Sequence, residues 1–449
     1  MNRRVKDLII VGFALFSMFL GAGNLIFPPY LGLHAGDTWF PVLIGFIITG
    51  VGLPLMTVYA TLRSGGTIMT LARYAGRPFG RLLGLIVVLS IGPMFAIPRT
   101  AATTYEVGVH TLLPNVPIQA SSIVFFVIVW ALTINRSKVI DRLGKYLTPF
   151  LLLTLFAIVV AAIIAPIGEP GAAAEPVYTF SGGFTEGYQT MDALAASMFA
   201  GVALSNIVAR GYNNREEQLS MSIRCGVIAA ILLGLVYCGL TYGGAGSTGA
   251  FPADIDRSTL LVQMTQGLLG NIGTYCLSAA VILACLTTAV GLTVTTGEYF
   301  NELSNGKLSY KLVVTLTVIA ALLISVLGVT TIINLAVPFL NMVYPVLMAL
   351  VICNCLDRFI PNKNAYIGAL IGAFLISFID GLSAVGSLGI SAGWINSLLA
   401  FKATLPLNTF GLAWVIPAIV LAVIFSFIPR RKKDSEEVVF EIYDEGRED

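Results

Sequence analysis

A chain of 449 residues that is 57% hydrophobic and only 11% charged, with a mean hydropathy of +0.87, has too much apolar surface to hide in a water-soluble domain of this length. Apolar runs long enough to cross about 30 Å of hydrocarbon recur from end to end, which makes the bilayer its solvent. The formal charge is only +2, and no basic patch interleaved with aromatics offers a nucleic-acid surface. Two histidines, His34 and His110, leave no relay on which to build an enzyme. The six cysteines, at 225, 238, 276, 285, 353 and 355, have neither zinc-ligand spacing nor a C-x-x-C pair. No G-x-x-x-x-G-K-[ST] loop occurs, so ATP does not drive the protein directly.

In chain order the apolar pattern predicts twelve spans: 7–34, 40–62, 79–108, 119–134, 146–166, 186–209, 223–245, 267–300, 311–328, 333–353, 365–387 and 409–429. Backbone groups in lipid must be paired within the segment, and no barrel-like alternation is present, so these are helices and the fold class is all-α and polytopic. With residues 1–6 placed in the cytoplasm, 23 of the 26 basic residues fall on the inner side, which is the positive-inside signature and sets both termini inside. Arg99, Arg257 and Lys402 are the exceptions. The basic start followed by an apolar run is similar to a signal peptide, but Asn24, Pro28 and Pro29 interrupt it and more spans follow, so it reads as a retained first helix. Residues 430–449, basic and then acidic, read as a solvated tail.

Span 1 is interrupted near its middle by "FLGAGNLIFPP", residues 19–29. Discontinuous helices leave carbonyls and amide ends at mid-membrane, where they bind cations and carboxylates. An inverted repeat places a second break five spans later. Span 6 carries "SMFAGVALSN" (197–206) against "SMFLGAGN" (17–24) in span 1, and this similarity assigns the second break to Phe199, Ala200 and Gly201. On span 8, Ala284, Thr287 and Thr288 share one helix face, so a carbonyl and two hydroxyls are available for a hard monovalent cation, although such threonines also bond carbonyls of their own helix. Ile91 and Phe95 of span 3 join Phe199 as candidates for an apolar side-chain pocket. Among the charges inside spans, Arg99, Asp192 and Glu106 read as a gate or a structural ion pair, and for Asp380 the sequence names no partner.

These stretches, with "MFAIPRTAATTYEVG" (94–108), "GYQTMDALAASMFAG" (187–201) and "ACLTTAVGLT" (284–293), resemble the bacterial branched-chain amino acid:cation symporters, the BrnQ-type carriers, over nearly the whole chain. The resemblance implies a LeuT-like five-plus-five inverted repeat with helices 1 and 6 discontinuous. The repeats would be 7–166 and 186–353, with two further helices in 365–429. It implies uptake of leucine, isoleucine and valine across the bacterial plasma membrane, with no organic cofactor and no obligate protein partner. By match to the LeuT-like motif, Gly21, Ala22, Gly23 and Asn24 would hold the substrate carboxylate. A sodium site would take carbonyls of Ser17 and Leu20 together with Ala284, Thr287 and Thr288. No arginine follows the span 1 motif, so the charged outer gate of amino-acid carriers of this type has no counterpart there. At the depth of the site, spans 1 and 8 offer hydroxyls and carbonyls rather than a titratable group, which favours sodium over protons; a proton-coupled carrier, or one for another small substrate such as a nucleobase, is the alternative.

Overall fold

The computed structural model describes residues 3–135, 139–173, 178–387 and 393–428, with side chains omitted at 139–148. The tail at 430–449 and the basic positions 136, 138, 142 and 145 therefore lie outside the described residues or side chains. The described residues are helical apart from turns and one isolated bridge, Thr248 with Phe251. Helix α1 (Arg3–Phe19) stops at Leu20–Gly21 and resumes as α2 (Ala22–Ala35). Helix α3 (Trp39–Ile47) passes through a π-helical turn, Ile48–Gly52, into α4 (Leu53–Ser64). Helix α5 (Arg77–Leu89), π-turns at Ser90–Met94 and Thr104–Val109, and α6 (Ala96–Thr103) between them make one irregular path.

Then come α7 (Ile118–Thr133) and α8 (Val139–Ile164). Helix α9 (Phe180–Glu186) runs through a 3-10 turn, Gly187–Thr190, to a second break at Met191, beyond which α10 (Asp192–Val208) begins. Helices α11 (Arg215–Ala245), α12 (Arg257–Leu303), α13 (Tyr310–Ser325), α14 (Val329–Cys355), α15 (Lys363–Ser387), α16 (Gly393–Ala403) and α17 (Val415–Ser426) complete the chain.

By length and composition, six described helical paths are able to cross a membrane, or seven if the bent pair Phe180–Thr190 and Asp192–Val208 is one span. Ala22–Ser64 counts there as a single 43-residue path, and four further apolar helices are shorter than 18 residues. The protein is thus an all-helical polytopic membrane protein. Several boundaries depart from the sequence expectation, among them the starts of α8, α11 and α17, and two bear on the site. Helix α12 starts ten residues before position 267, because Leu260, Leu261, Met264 and Thr265 form a buried stripe that the polar start of this segment disguises. Its path bends at Gly270, whose φ of +63° suits a glycine. The second break lies at 187–191, not at 199–201.

The chain divides into two compact units. The first (Met1–Gly52, Val87–Ala195, Arg224–Ala336) is assembled at two crossings where helix backbones touch. A Cβ at Gly32 would lie 1.9 Å from the Thr241 carbonyl oxygen, and one at Gly244 would lie 2.0 Å from that of Pro29, so α2 and α11 meet without intervening side chains. In the same way Gly45 and Gly183 join α3 to α9, with virtual Cβ atoms 2.2 Å from the Phe180 oxygen and 1.9 Å from the Val42 oxygen. Membrane helices lack a hydrophobic drive to associate, and small residues replace it by allowing this close approach.

The second unit (Leu53–Ile86, Ala196–Ile223, Val337–Asp449) uses the same device between α15 and α17, at Gly368 and Gly372. Buried Asn354 ties it together, accepting from Ser64 Oγ (3.0 Å) and donating to the Leu71 and Leu350 carbonyls (2.9 and 2.8 Å). Asp380 has a partner after all: it forms an ion pair with Lys402 of α16, one of the three basic residues that break the positive-inside pattern. Phe199, Ala200 and Gly201 belong to this unit, inside unbroken helix, with Gly201 near the Gly66 carbonyl.

Candidate functional site

The first break is built by glycine and asparagine. In a continuous helix the Gly21 amide would close on the Ser17 carbonyl; here it donates to Phe19 O (2.8 Å) and to Asn24 Oδ1 (3.3 Å). Gly21 is extended (φ −104°, ψ −171°), so the chain leaves the α1 axis before α2 starts. Asn24 is the third residue of α2, and its side-chain oxygen accepts from the amide of Gly21, the residue before the helix, which is the half of a capping box that a glycine allows. The amides of Ala22 and Gly23, in the first turn, have no acceptor within the helix.

The other end of the Asn24 amide joins the two breaks. Its Nδ2 donates to Asp192 Oδ2 at 2.5 Å and to the Tyr237 hydroxyl. Asp192 is the first residue of α10, placed there by the left-handed turn at Met191 (φ +61°). Close packing adds to the turn: a Cβ at Gly187 would lie 2.0 Å from Thr49 Oγ1. Asn24, Asp192 and Tyr237 are all 5% exposed or less. The physical reason the second break falls here is therefore local sterics at Gly187 and Met191. The Ser-Met-Phe-x-Gly similarity at 197–201 does not mark it.

Arg99 of α6 reaches the same place. Its Nη1 donates to the Gln189 carbonyl at 2.6 Å, and its guanidinium covers the Phe27 ring at 5.5 Å. Glu106, the other candidate partner for Arg99, instead accepts from the Val329 amide at 2.9 Å and caps α14. Among the cation candidates, the break faces α12. A Cβ on Gly21 would stand 3.7 Å from Thr288 Cγ2 and 3.9 Å from its Oγ1. Thr287 donates to the Ala284 carbonyl at 2.9 Å, three residues back in its own helix. Leu20 is 1% exposed, while Ser17, Thr287 and Thr288 are half-buried. Ile91 and Phe95 are buried in the irregular stretch before α6.

Two features of the site escape sequence reasoning. Tyr237 lies in an ordinary apolar span, and the only signal is that a phenol hydroxyl in hydrocarbon needs a partner. The second is an ion pair further along α2. Arg257, at the start of α12, bonds Glu186 at the end of α9 (2.7 Å), with both side chains under a fifth exposed. The Arg257 guanidinium lies over Tyr30 (4.0 Å) and Phe27 (5.5 Å), so Phe27 is in contact with both arginines. Breaking a buried pair leaves one uncompensated charge, at a cost of about 3–5 kcal/mol. Glu186→Gln is accordingly expected to lower the thermal midpoint of the purified protein by several degrees. Glu186→Gln combined with Arg257→Gln should be less damaging than the sum of the two single changes, which a double-mutant cycle measures.

Two discontinuous helices bring their broken ends together at buried polar side chains, and solved structures share the fold that holds them. The chain superposes on the manganese transporter of Eremococcus coleocola with a TM-score of 0.58 at 14% identity, covering 95% of this chain and 96% of that one. It also superposes on MhsT in complex with L-phenylalanine (0.53, 14%, 93% and 98%) and on inward-facing Mhp1 (0.52, 15%, 93% and 89%). The fold is LeuT-like.

Residues 4–432 match the family described as branched-chain amino acid transport protein. The chain is 40% identical over 431 residues to the branched-chain amino acid permease BraB of Bacillus subtilis, covering 94% of this chain and 95% of that one. It is 38% identical over 426 residues to the branched-chain amino acid transport system 2 carrier protein of Pseudomonas aeruginosa, covering 93% and 95%. The chain belongs to the branched-chain amino acid transport protein family, and it is a multi-pass membrane carrier rather than an enzyme.

Proposed function

We propose that the protein takes up leucine, isoleucine and valine in symport with sodium by alternating access. One observation carries the reading: the break at Leu20–Gly21 adjoins Thr288 of α12, so carbonyls released by a broken helix and a hydroxyl from another helix share one place. In this reading the carbonyls of Ser17, Leu20 and Ala284 and the hydroxyls of Thr287 and Thr288 make an all-oxygen, uncharged shell, which suits a hard monovalent cation. The carboxylate lies on the first amides of α2, beside Asn24. Substrate contacts first assigned to Phe199, Ala200 and Gly201 pass to Gln189–Asp192, where the second break is. Residues 7–166 and 186–353 are the inverted repeats of a twelve-helix chain, 365–429 the added pair, and both termini are cytoplasmic.

The test is uptake of labelled leucine into proteoliposomes under an inward sodium gradient and, separately, under a proton gradient alone. Uptake should follow sodium, resist competition by uracil, and fall at least tenfold in Thr288→Ala. A second reading rests on Asp192, a carboxylate buried at the break, which suits proton coupling. Uptake that follows protons, with Thr288→Ala unimpaired, would replace the first reading by the second. Absence of leucine uptake under either gradient would overturn both.

A further inference from the structure

The break holds two opposite charges that neither the helix ends nor the cation shell explains. Arg99 is 3% exposed, and its guanidinium fills the space a side chain at residue 23 would need: a Cβ on Gly23 would lie 2.8 Å from Nη2 and 3.2 Å from Cζ. The first turn of α2 already carries partial positive charge, so a guanidinium set against it is like-signed. One residue further along α2, Asn24 holds Asp192 at 2.5 Å. Arg99 is near enough to Asp192 to act on it electrostatically, so a cationic and an acidic side chain face the same break. Charged side chains buried at membrane depth are costly and are kept where a ligand pathway needs them.

A free α-amino acid has the complementary pattern. Its carboxylate and ammonium are joined through a single carbon, and the molecule is itself net neutral. We propose that Arg99 and Asp192 are the substrate's two charged side-chain ligands, Arg99 sharing the carboxylate with the first amides of α2, against which it lies, and Asp192 taking the ammonium. Without substrate the two residues compensate each other across Gly23 and Asn24. The zwitterion enters between them and replaces one interaction by two, leaving the net charge of the pocket unchanged. The Gln189 carbonyl, bonded to Nη1 at 2.6 Å, holds the guanidinium in place. This arrangement selects the amino-acid class. A polar site rejects an analogue lacking the group it binds by roughly 10⁴-fold, whereas a methylene in an apolar pocket changes preference by only about 10- to 200-fold. The inference rests on the proposed amino-acid substrate and names the residues that recognise it.

Binding is measured on the purified full-length protein in sodium-containing detergent solution, by competition against labelled leucine and by ligand-induced thermal shift. The ligands are leucine, leucinamide, which lacks the carboxylate, and 4-methylpentanoate, which lacks the ammonium. In the wild type both analogues should bind at least a hundredfold more weakly than leucine. In Arg99→Gln leucine should weaken at least a hundredfold while leucinamide is unchanged, so that discrimination between them collapses. Asp192→Asn should do the same for 4-methylpentanoate, and Arg99→Lys should recover part of the leucine preference. Equal weakening of leucine and leucinamide in Arg99→Gln would reduce Arg99 to a structural role and overturn the proposal, as would undiminished leucine preference in either variant. If Arg99→Gln does not fold, Arg99→Lys decides: a preference for leucine over leucinamide as large as in the wild type, with both ligands weakened equally, again overturns it. Failure of the wild type to bind leucine at all would defeat the transport reading itself.

Discussion

Asn24→Leu is expected to lower leucine uptake at least a hundredfold in a chain that still folds. The two side chains have nearly the same shape, so the packing of a residue that is 1% exposed is largely kept. What disappears is the Asn24 amide's own set of contacts: its acceptor for the Gly21 amide, which keeps only Phe19 O, and its donors to Asp192 in the second break and to Tyr237. A buried group that loses its partner carries its full desolvation cost, about 1–3 kcal/mol and more for a charged one. Asp192 then turns from the geometry set by Asn24, and α2 loses the cap that defines its N-terminus. Proteoliposome uptake measured beside a melting curve separates the loss of function from a loss of folding. A variant with wild-type uptake would show that the amide bridge does not hold the site together.

The largest loss of stability is expected from Gly32→Ala or Gly244→Ala. At both positions the nearest atoms to a new Cβ are backbone, about 2 Å away, so no rotamer change relieves the contact and α2 must separate from α11. Overpacking a well-filled site costs about 1–3 kcal/mol and occasionally more, and a clash with a fixed backbone belongs at or beyond the upper end. Gly234→Ala on the same α11 is the control, because nothing lies within 4 Å of its Cβ position, and alanine is the better helix former. The thermal midpoint and the folded yield should drop sharply in the first two variants and stay level or rise in the third.

The parts of this architecture that depend on local chemistry were legible in the sequence. Gly21, Gly23 and Asn24 in an apolar run announce a broken helix, because each disfavours continued helix there. The helix lies broken between Phe19 and Ala22. The partner break was misplaced by about ten residues. A repeated pentapeptide pointed to 197–201, whereas the chain turns at Met191, a non-glycine residue in the left-handed region, and no propensity marks such a position. The charges inside spans were identified as special, and Arg99 was set with Asp192, which it does influence, but the partners of Glu106 and Asp380 were not found. Glu106 caps Val329 across 223 residues, and Asp380 meets Lys402 on a later helix. Such pairings are set by how the helices cross, which a linear pattern does not encode. The ion pair of Arg257 with Glu186 escaped for the same reason, since Arg257 lies between two expected spans and Glu186 at the end of one.

The two glycine crossings also bear on motion. Backbones in direct contact have no side-chain layer through which to slide, and α2 packs on α3, which links the two crossings. If the carrier works by alternating access as proposed, helices α2, α3, α9 and the C-terminal half of α11 are expected to travel as one rigid body. Spin labels placed on any two of these four segments should keep a constant separation whether substrate is bound or released, so the conformational change that exposes the site must arise at their outer boundary.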